Sequence, residues 1–210
     1  AYDDVGNRLT KKDSVTGETI YVYDNNDRLT TETIAGINTI YSYDNNGNVI
    51  GIQSPTQQVV YDWNTENRLI GADITEGSET QQLEYIYDVD GIRVASIVDG
   101  QETRYLVDTN RQYAEVLEEY IPGGETEVSY VHGLDLISQT RDDNTSFYLY
   151  DRHSGVRQLT NESAVVTDTY NYDAFGNLLN STGSTENSYL YRGEQYDQDL
   201  GMQYLRARYY

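Results

Sequence analysis

Apolar and polar positions alternate along most of this chain with a period of two. Ile20-Tyr21-Val22-Tyr23, Ile40-Tyr41-Ser42-Tyr43, Glu84-Tyr85-Ile86-Tyr87, Phe147-Tyr148-Leu149-Tyr150 and Thr169-Tyr170-Asn171-Tyr172 all follow it. In a strand this spacing puts two tyrosines on one face. The other face varies from Ile20 and Val22 to Thr169 and Asn171, so the tyrosine face is the steadier one. Laid side by side, such strands would stack their rings in ladders, each cross-strand aromatic pair contributing roughly 0.2–1 kcal/mol. On that reasoning Tyr43→Ala destabilises the fold more than Val49→Ala.

Turn chemistry follows each alternating segment directly, as in Asp24-Asn25-Asn26-Asp27, Asp44-Asn45-Asn46-Gly47, Asp88-Val89-Asp90-Gly91 and Asp173-Ala174-Phe175-Gly176. Asx side chains accept bonds from backbone amides two residues on, and glycine accepts positive φ. Extended apolar residues resume after each turn, so one unit reads strand, tight turn, strand. Asp99-Gly100, between Ile92–Val98 and Glu102–Val107, predicts a two-residue hairpin. Pro55 and Pro122 fall at turns. Tyr113–Ile121 has a helix-favouring composition, but its β-rich neighbours and the following Pro122-Gly123-Gly124 favour a strand. The signature residues are Tyr2, Asp3 and Gly6; Tyr23 and Asp24; Tyr43, Asp44 and Gly47; Tyr61 and Asp62; Tyr87, Asp88 and Gly91; Tyr150, Asp151 and Gly155; Tyr172, Asp173 and Gly176; Tyr196 and Asp197. Weaker copies sit at Tyr105 and Tyr130. A period of roughly 20 residues marks an array of small units, none able to bury its face alone. The predicted fold is all-β, a continuous antiparallel meander over residues 1–210 with about two strands per repeat.

Composition sharpens this. The chain has 22 tyrosines but two phenylalanines and one tryptophan. Tyrosine supplies buried area while its hydroxyl needs water or a partner, so the aromatic face should be half-wet or hydrogen-bonded. Arginines recur five to seven residues after repeat tyrosines, at Arg8, Arg28, Arg68, Arg93 and Arg157. A hairpin returns each toward its own Tyr and Asp, where cation–π contact would add roughly 0.5–1 kcal/mol. Net charge is −21, with Lys11 and Lys12 the only lysines. That argues against a nucleic-acid or anionic-lipid partner. There are no cysteines, hence neither disulfides nor thiolate metal sites. No apolar run reaches the roughly 20 residues of a membrane span.

Candidate chemistry is thin. Asp44–Asn48 and Asp88–Gly91 look like fragments of calcium loops, but lack the ligand count, so turn chemistry is the better reading of them and weak calcium binding the lesser one. His132 and His153 are the only histidines, and Ser154-Gly155 lacks a nucleophile-elbow frame. Neighbouring carboxylates such as Asp197 and Asp199 are expected by coincidence in so acidic a chain. No catalytic, cofactor or metal residue is assigned. Asn144-Thr145-Ser146, Asn161-Glu162-Ser163 and Asn180-Ser181-Thr182 fit the N-glycosylation frame. Exposed rings among Asn, Asp and Gln would suit glycans, against the simpler reading that the rings pack on one another.

Tyr2–Leu9 and Tyr172–Leu179 resemble the YD repeat of the RHS (rearrangement hot spot) family. Residues 129–179, with Tyr-Val-His-Gly-Leu-Asp and Tyr-Asp-Ala-Phe-Gly-Asn, are similar to the RHS-associated core. So is the end of the chain: Tyr191-Arg192-Gly193-Glu194-Gln195-Tyr196-Asp197, then Gly201, Tyr204, Arg206, Ala207, Arg208, Tyr209 and Tyr210. The core portion would span 129–210. The resemblance implies a sheet wound spirally into a hollow shell around a C-terminal toxin, in a secreted or cell-surface bacterial protein. The partners it implies are the rest of the shell and that cargo domain. Self-cleavage in the family depends on segments beyond the Arg-Ala-Arg-Tyr-Tyr motif, usually opening Asp-Pro, so no catalytic residue carries over. The chain starts inside a repeat and stops inside a motif, and reads as a piece of a longer polypeptide. The alternative is a structural or adhesive surface or fibre protein that self-associates through sheet edges or binds glycans.

Overall fold

In the computed structural model the alternating segments pair into strands, residue opposite residue. It describes residues 1–13, 16–111, 113–173, 176–206 and 208–210. Antiparallel ladders run in chain order through β1 (Thr10–Asp13), β2 (Gly17–Tyr23), β3 (Leu29–Ile34), β4 (Ile37–Tyr43), β5 (Val49–Gln53), β6 (Gln57–Trp63), β7 (Leu69–Glu76) and β8 (Glu79–Tyr87). After β9 (Arg93–Val98), a second run passes through β10 (Gln101–Asp108), β11 (Glu115–Tyr120), β12 (Thr126–His132) and β13 (Leu136–Arg141). It continues through β14 (Asn144–Tyr150), β15 (Val156–Thr160), β16 (Val166–Tyr172) and β17 (Leu178–Thr182). A 3-10 turn at Tyr191–Gly193 precedes a ribbon of β18 (Gln195–Asp197) and β19 (Met202–Tyr204). The all-β antiparallel meander expected from the alternation is what forms, and Tyr113–Ile121 contributes a strand. The chain divides into two compact units, Ala1–Tyr85 with Ile97–Gln101, and Ile86–Ser96 with Glu102–Tyr210.

Two kinds of connection recur along the chain. One is the two-residue turn with both residues at positive φ: Ala35-Gly36, Asp99-Gly100 and Asp142-Asp143. Its twist matches that of the flanking strands. The other is the Tyr-Asp loop. Each begins at a bulge where the register slips, so that Tyr23 faces Leu29, Tyr43 faces Val49 and Tyr150 faces Val156. The Asp carboxylate then caps the loop from inside. Asp44 Oδ1 accepts from the Asn46 and Asn48 amides, both at 2.8 Å, and Asp151 Oδ1 accepts from His153 and Gly155. The third residue after the cap takes left-handed backbone: Gly6, Asp27, Gly47, Asn67, Gly91, Ser154, Ala164 and Gly176.

This geometry shifts the repeat frame in three places. Asn64, not Asp62, caps the fourth loop, accepting from Glu66 and Arg68. Trp63-Asn64 therefore stands where Tyr-Asp stands elsewhere, and Tyr61 is that strand's inner tyrosine. In the Asp151 loop the left-handed residue is Ser154 and not Gly155. Asn161 caps a further loop through Ser163 and Val165, which the Tyr-Asp pattern does not reveal.

The tyrosine face is buried and the aliphatic face is the wet one. Tyr21, Tyr61, Tyr85, Tyr130, Tyr148 and Tyr170 are buried, while Ile20, Val22, Ile40 and Leu149 are exposed. Of the two states expected for this face, half-wet or hydrogen-bonded, the second is the one that forms. The expected ring ladder is corrected, because among the described residues no ring pair joins Tyr21, Tyr23, Tyr41, Tyr43, Tyr61 or Trp63. Repeats are tied instead by hydrogen bonds to backbone: Tyr23 Oη to the Arg8 carbonyl, Tyr43 to Leu29, Trp63 Nε1 to Val49, Tyr150 to Leu136. The arginines act across repeats as well. Arg28 pairs with its own Asp24 at 2.7 Å, but lies 5.0 Å from the ring of Tyr43, in the next repeat. Arg8 meets Tyr21 and Arg157 meets Tyr172 in the same way.

Candidate functional site

In the second unit the C-terminal tail lies on the tyrosine face and completes its core. Tyr130, Leu136, Tyr148, Val156, Leu159 and Tyr170 pack with Tyr189 and Leu190 of the tail. Tyr189 meets Tyr130 edge-on at 5.0 Å, and Tyr191 meets Tyr172 at 5.5 Å. Buried polar side chains of the strands hold the tail backbone. Asp168, 1% exposed, accepts from the Thr185 amide and hydroxyl. Gln139 donates to the Glu186 carbonyl, and Tyr148 Oη donates to Asn187 at 2.8 Å. Gly183 approaches Asp168 so closely that a Cβ would overlap its carboxylate. Asp168, Gln139 and Tyr148 are tolerated in the core because each finds a partner in the tail.

Arg93 is the centre of the second attachment. Its guanidinium donates to Asp197 at 2.8 Å, to Tyr209 Oη at 3.0 Å and to Gln195 Oε1 at 2.8 Å, and its backbone amide donates to Tyr204 Oη. Tyr204 also stacks 4.3 Å from the guanidinium. Burial opposes the charge, but Tyr105, Tyr209 and Asp197 outweigh it and hold the pKa well above the ordinary arginine value. Nearby, Tyr130 Oη donates to buried Glu119 at 2.7 Å. Burial pushes the Glu119 carboxyl up despite that bond.

Tyr196-Asp197, which reads as one more repeat, is thus no hairpin of the sheet: it forms β18, and Asp197 serves Arg93. Of the tail motif, Tyr204 and Tyr209 join the Arg93 cluster. Arg206 pairs with Glu194 at 2.9 Å and donates to the Ala114 carbonyl. Tyr210 exchanges backbone bonds with Gln203, Arg208 is exposed, and Gly201 takes positive φ. Ala207, and Ala174 and Phe175 of the Asp173 turn, lie outside the described residues. Asp168, Gln139, Glu119 and Asn187 were not legible as functional; the one available signal was a polar residue in the buried register of a tyrosine strand. His132 and His153 do not meet as ligands: His132 contacts the Val116 carbonyl and lies 3.5 Å from Glu115, whereas His153 sits in a loop. Among the described residues no group of three His, Asp or Glu could hold a metal ion. The Asp44 carboxylate of the calcium-like loop is engaged by the Asn46 and Asn48 donors.

Beside the tail lies a cavity of about 500 Å3 lined by Ile92, Arg93, Val107, Arg111 and Glu115 from one side of the chain order and by Tyr189, Arg192, Glu194 and Arg206 from the tail. Glu115 receives Arg111 at 3.1 Å.

No family model matches the chain. It is 32% identical over 165 residues to the tRNA3(Ser)-specific nuclease WapA of Bacillus spizizenii, an alignment covering 76% of this chain and 7% of that protein. The tRNA(Glu)-specific nuclease WapA of Bacillus subtilis subsp. natto gives the same identity and coverage. The chain therefore spans only a small part of the curated relatives it matches. Among solved structures, all of the chain superposes on 15% of a chain in the TcdB2–TccC3–Cdc42 crystal structure, with a TM-score of 0.54 and 15% identity. The Photorhabdus luminescens Tc holotoxin pore gives a TM-score of 0.52, also at 15% identity. These likenesses show a shared fold.

Proposed function

We propose that this chain is a segment of an RHS-type shell in an exported bacterial toxin, and that its own contribution is structural: it walls in or presents a separate C-terminal effector. One observation carries the reading. The chain aligns over most of its length with proteins named as tRNA nucleases, yet accounts for only 7% of them. A repeat sheet with hydroxyl-to-backbone ties and a tail on its buried face is suited to a wall. The signature residues from Tyr2 to Asp173 build that wall, and residues 129–210 form its core portion. The nuclease activity belongs, on this reading, to another part of the parent. Glycan binding through the tyrosines is disfavoured, because the inner rings are buried.

The test uses the natural gene product. Its C-terminal domain is expected to resist added protease while the shell is folded and to be digested once the shell is destabilised. The purified 210-residue chain is expected to leave tRNA intact. Cleavage of tRNA by this chain alone, or equal digestion of the effector with and without the shell, overturns the proposal.

A further inference from the structure

The hydroxyl-to-backbone ties obey a register rule. Each closing side chain donates to the residue that faces the closing side chain of the preceding loop. Tyr43 donates to Leu29, which faces Tyr23; Trp63 to Val49, which faces Tyr43; Tyr150 to Leu136, which faces His132. By the same register Tyr172 belongs on the Val156 carbonyl, since Val156 faces Tyr150. That tie is missing. Tyr172 is 9% exposed, and its hydroxyl is buried with no hydrogen-bond partner among the described residues. The tail stands at this point instead. The Val156 amide donates to the Leu190 carbonyl at 3.0 Å, and the Tyr191 ring lies 5.5 Å from that of Tyr172. Tyr191 also rests on Gly176, where a Cβ would fall 2.4 Å from its Cδ1. A buried hydroxyl left unpaired penalises the docked arrangement. The docked segment is itself loosely bonded. Leu190 donates to the Glu194 carbonyl at 3.4 Å and Glu194 to that of Tyr191 at 3.3 Å, both beyond the usual range. On either side the tail is firmly held, at Thr185–Asn187 by Asp168, Gln139 and Tyr148 and from Gln195 onward by Arg93.

We propose that residues 190–193 form a reversible strap: closed, they cover Tyr172 and leave its hydroxyl unpaired; open, they free Tyr172 to make the repeat's tie to the Val156 carbonyl. The two states exchange one set of contacts for another. Closure gains the Tyr191 ring contact and the Val156–Leu190 bond, and opening gains the hydroxyl tie. The closed state is therefore stabilised by less than its buried rings alone would give, which is what lets the strap move while both attachments hold. The strap belongs to the chain itself and does not depend on what the parent protein encloses.

The experiment is amide hydrogen exchange of the 210-residue chain, read at Val156, whose amide is bonded to the strap. Tyr172→Phe removes the unpaired hydroxyl from the closed state and the tie from the open one. Exchange at Val156 should therefore slow about tenfold, the scale set by one buried hydroxyl. Tyr150→Phe loses its tie to Leu136 and should lower the melting midpoint without slowing that exchange. A second measurement separates the strap from a plain packing role. Tyr191→Ala holds the strap open, so adding Tyr172→Phe should lower the melting midpoint in that background, whereas Tyr172→Phe alone should not lower it. Exchange at Val156 that is unchanged or faster in Tyr172→Phe, or a midpoint change of the same sign in both backgrounds, overturns the proposal.

Discussion

Asp24, Asp44 and Asp151 show how much one side chain decides in this fold. Each accepts two backbone amides across a loop, and the residue three positions later must turn left-handed. Glycine does this freely; Ala164 does it at a cost. Ala164→Gly should therefore raise stability by about 1 kcal/mol and Gly47→Ala should lower it by a similar amount. Denaturant midpoints of the two variants check this, and a loss in the first would contradict it. The repeat tyrosine also has a second use beyond area. Tyr43→Phe keeps the ring but deletes the bond to the Leu29 carbonyl, so it should cost about 0.5–1.5 kcal/mol. Tyr43→Ala should cost more than Val49→Ala, now because of the lost tie and the Arg28 contact and not because of ring stacking. Equal midpoints for Tyr43→Phe and the unaltered chain would remove the hydroxyl tie from the account.

At the scale of elements, the tail and the strands beneath it in the second unit depend on one another. Arg93 binds three side chains of the tail, and Asp197 is buried against it. Arg93→Met leaves that carboxylate without its cation, so it should cost about 3–5 kcal/mol. Limited proteolysis should then cut within 183–210 before it cuts the strands. A cleavage pattern unchanged from the parent chain would mean that Arg93 does not fasten the tail. Glu119 sets a different lever. Its folded pKa is raised by burial above 4.5, so the folded state keeps a proton that the unfolded state releases. Stability falls as pH climbs from 4.5 through the folded value. Glu119→Gln can still accept from Tyr130, and its melting midpoint should lose this part of the pH slope. A slope identical to that of the parent chain would assign the effect elsewhere.

For the molecule as a whole, two acid-range effects oppose each other. The loop carboxylates run opposite to Glu119. The Asp24 carboxyl is held below 3.8 chiefly by Arg28; for Asp151, burial is the largest single influence and pushes upward, but the Gly155 and His153 amides and Arg157 together outweigh it and hold the carboxyl low. Their stabilisation is complete above the unfolded value and is lost as pH falls below about 3.8 through the lower folded values. Self-repulsion moves the other way, since the net charge of −21 shrinks toward the pI near 4.2. Maximum stability should then lie on the acidic side of neutrality. At pH 7, raising salt from about 10 to 500 mM should raise the melting midpoint by screening that repulsion. A midpoint that falls with salt would mean that the attractive pairs, such as Arg28–Asp24, outweigh the repulsion.

The period of two, the Asx turns and Asp99-Gly100 made the meander legible, because strand alternation and turn chemistry are local. Asp24, Asp44 and Asp88 announce their loops for the same reason. Trp63-Asn64 and Asn161 did not, since they keep the capping geometry while changing the letters. Which face is buried was also closed to the sequence: both faces of β2 are apolar enough to be inside, and only the path of the chain chooses Tyr21 over Ile20. The tail is the clearest case. Asp197 reads as one more repeat until Arg93, more than a hundred residues earlier, is brought within 2.8 Å. Local pattern thus determined the strands and their turns, whereas the partners of Arg93, Asp168 and Gln139, and the cavity beside Arg192, were decided by tertiary structure, because burial and charge pairing depend on segments that only folding brings together.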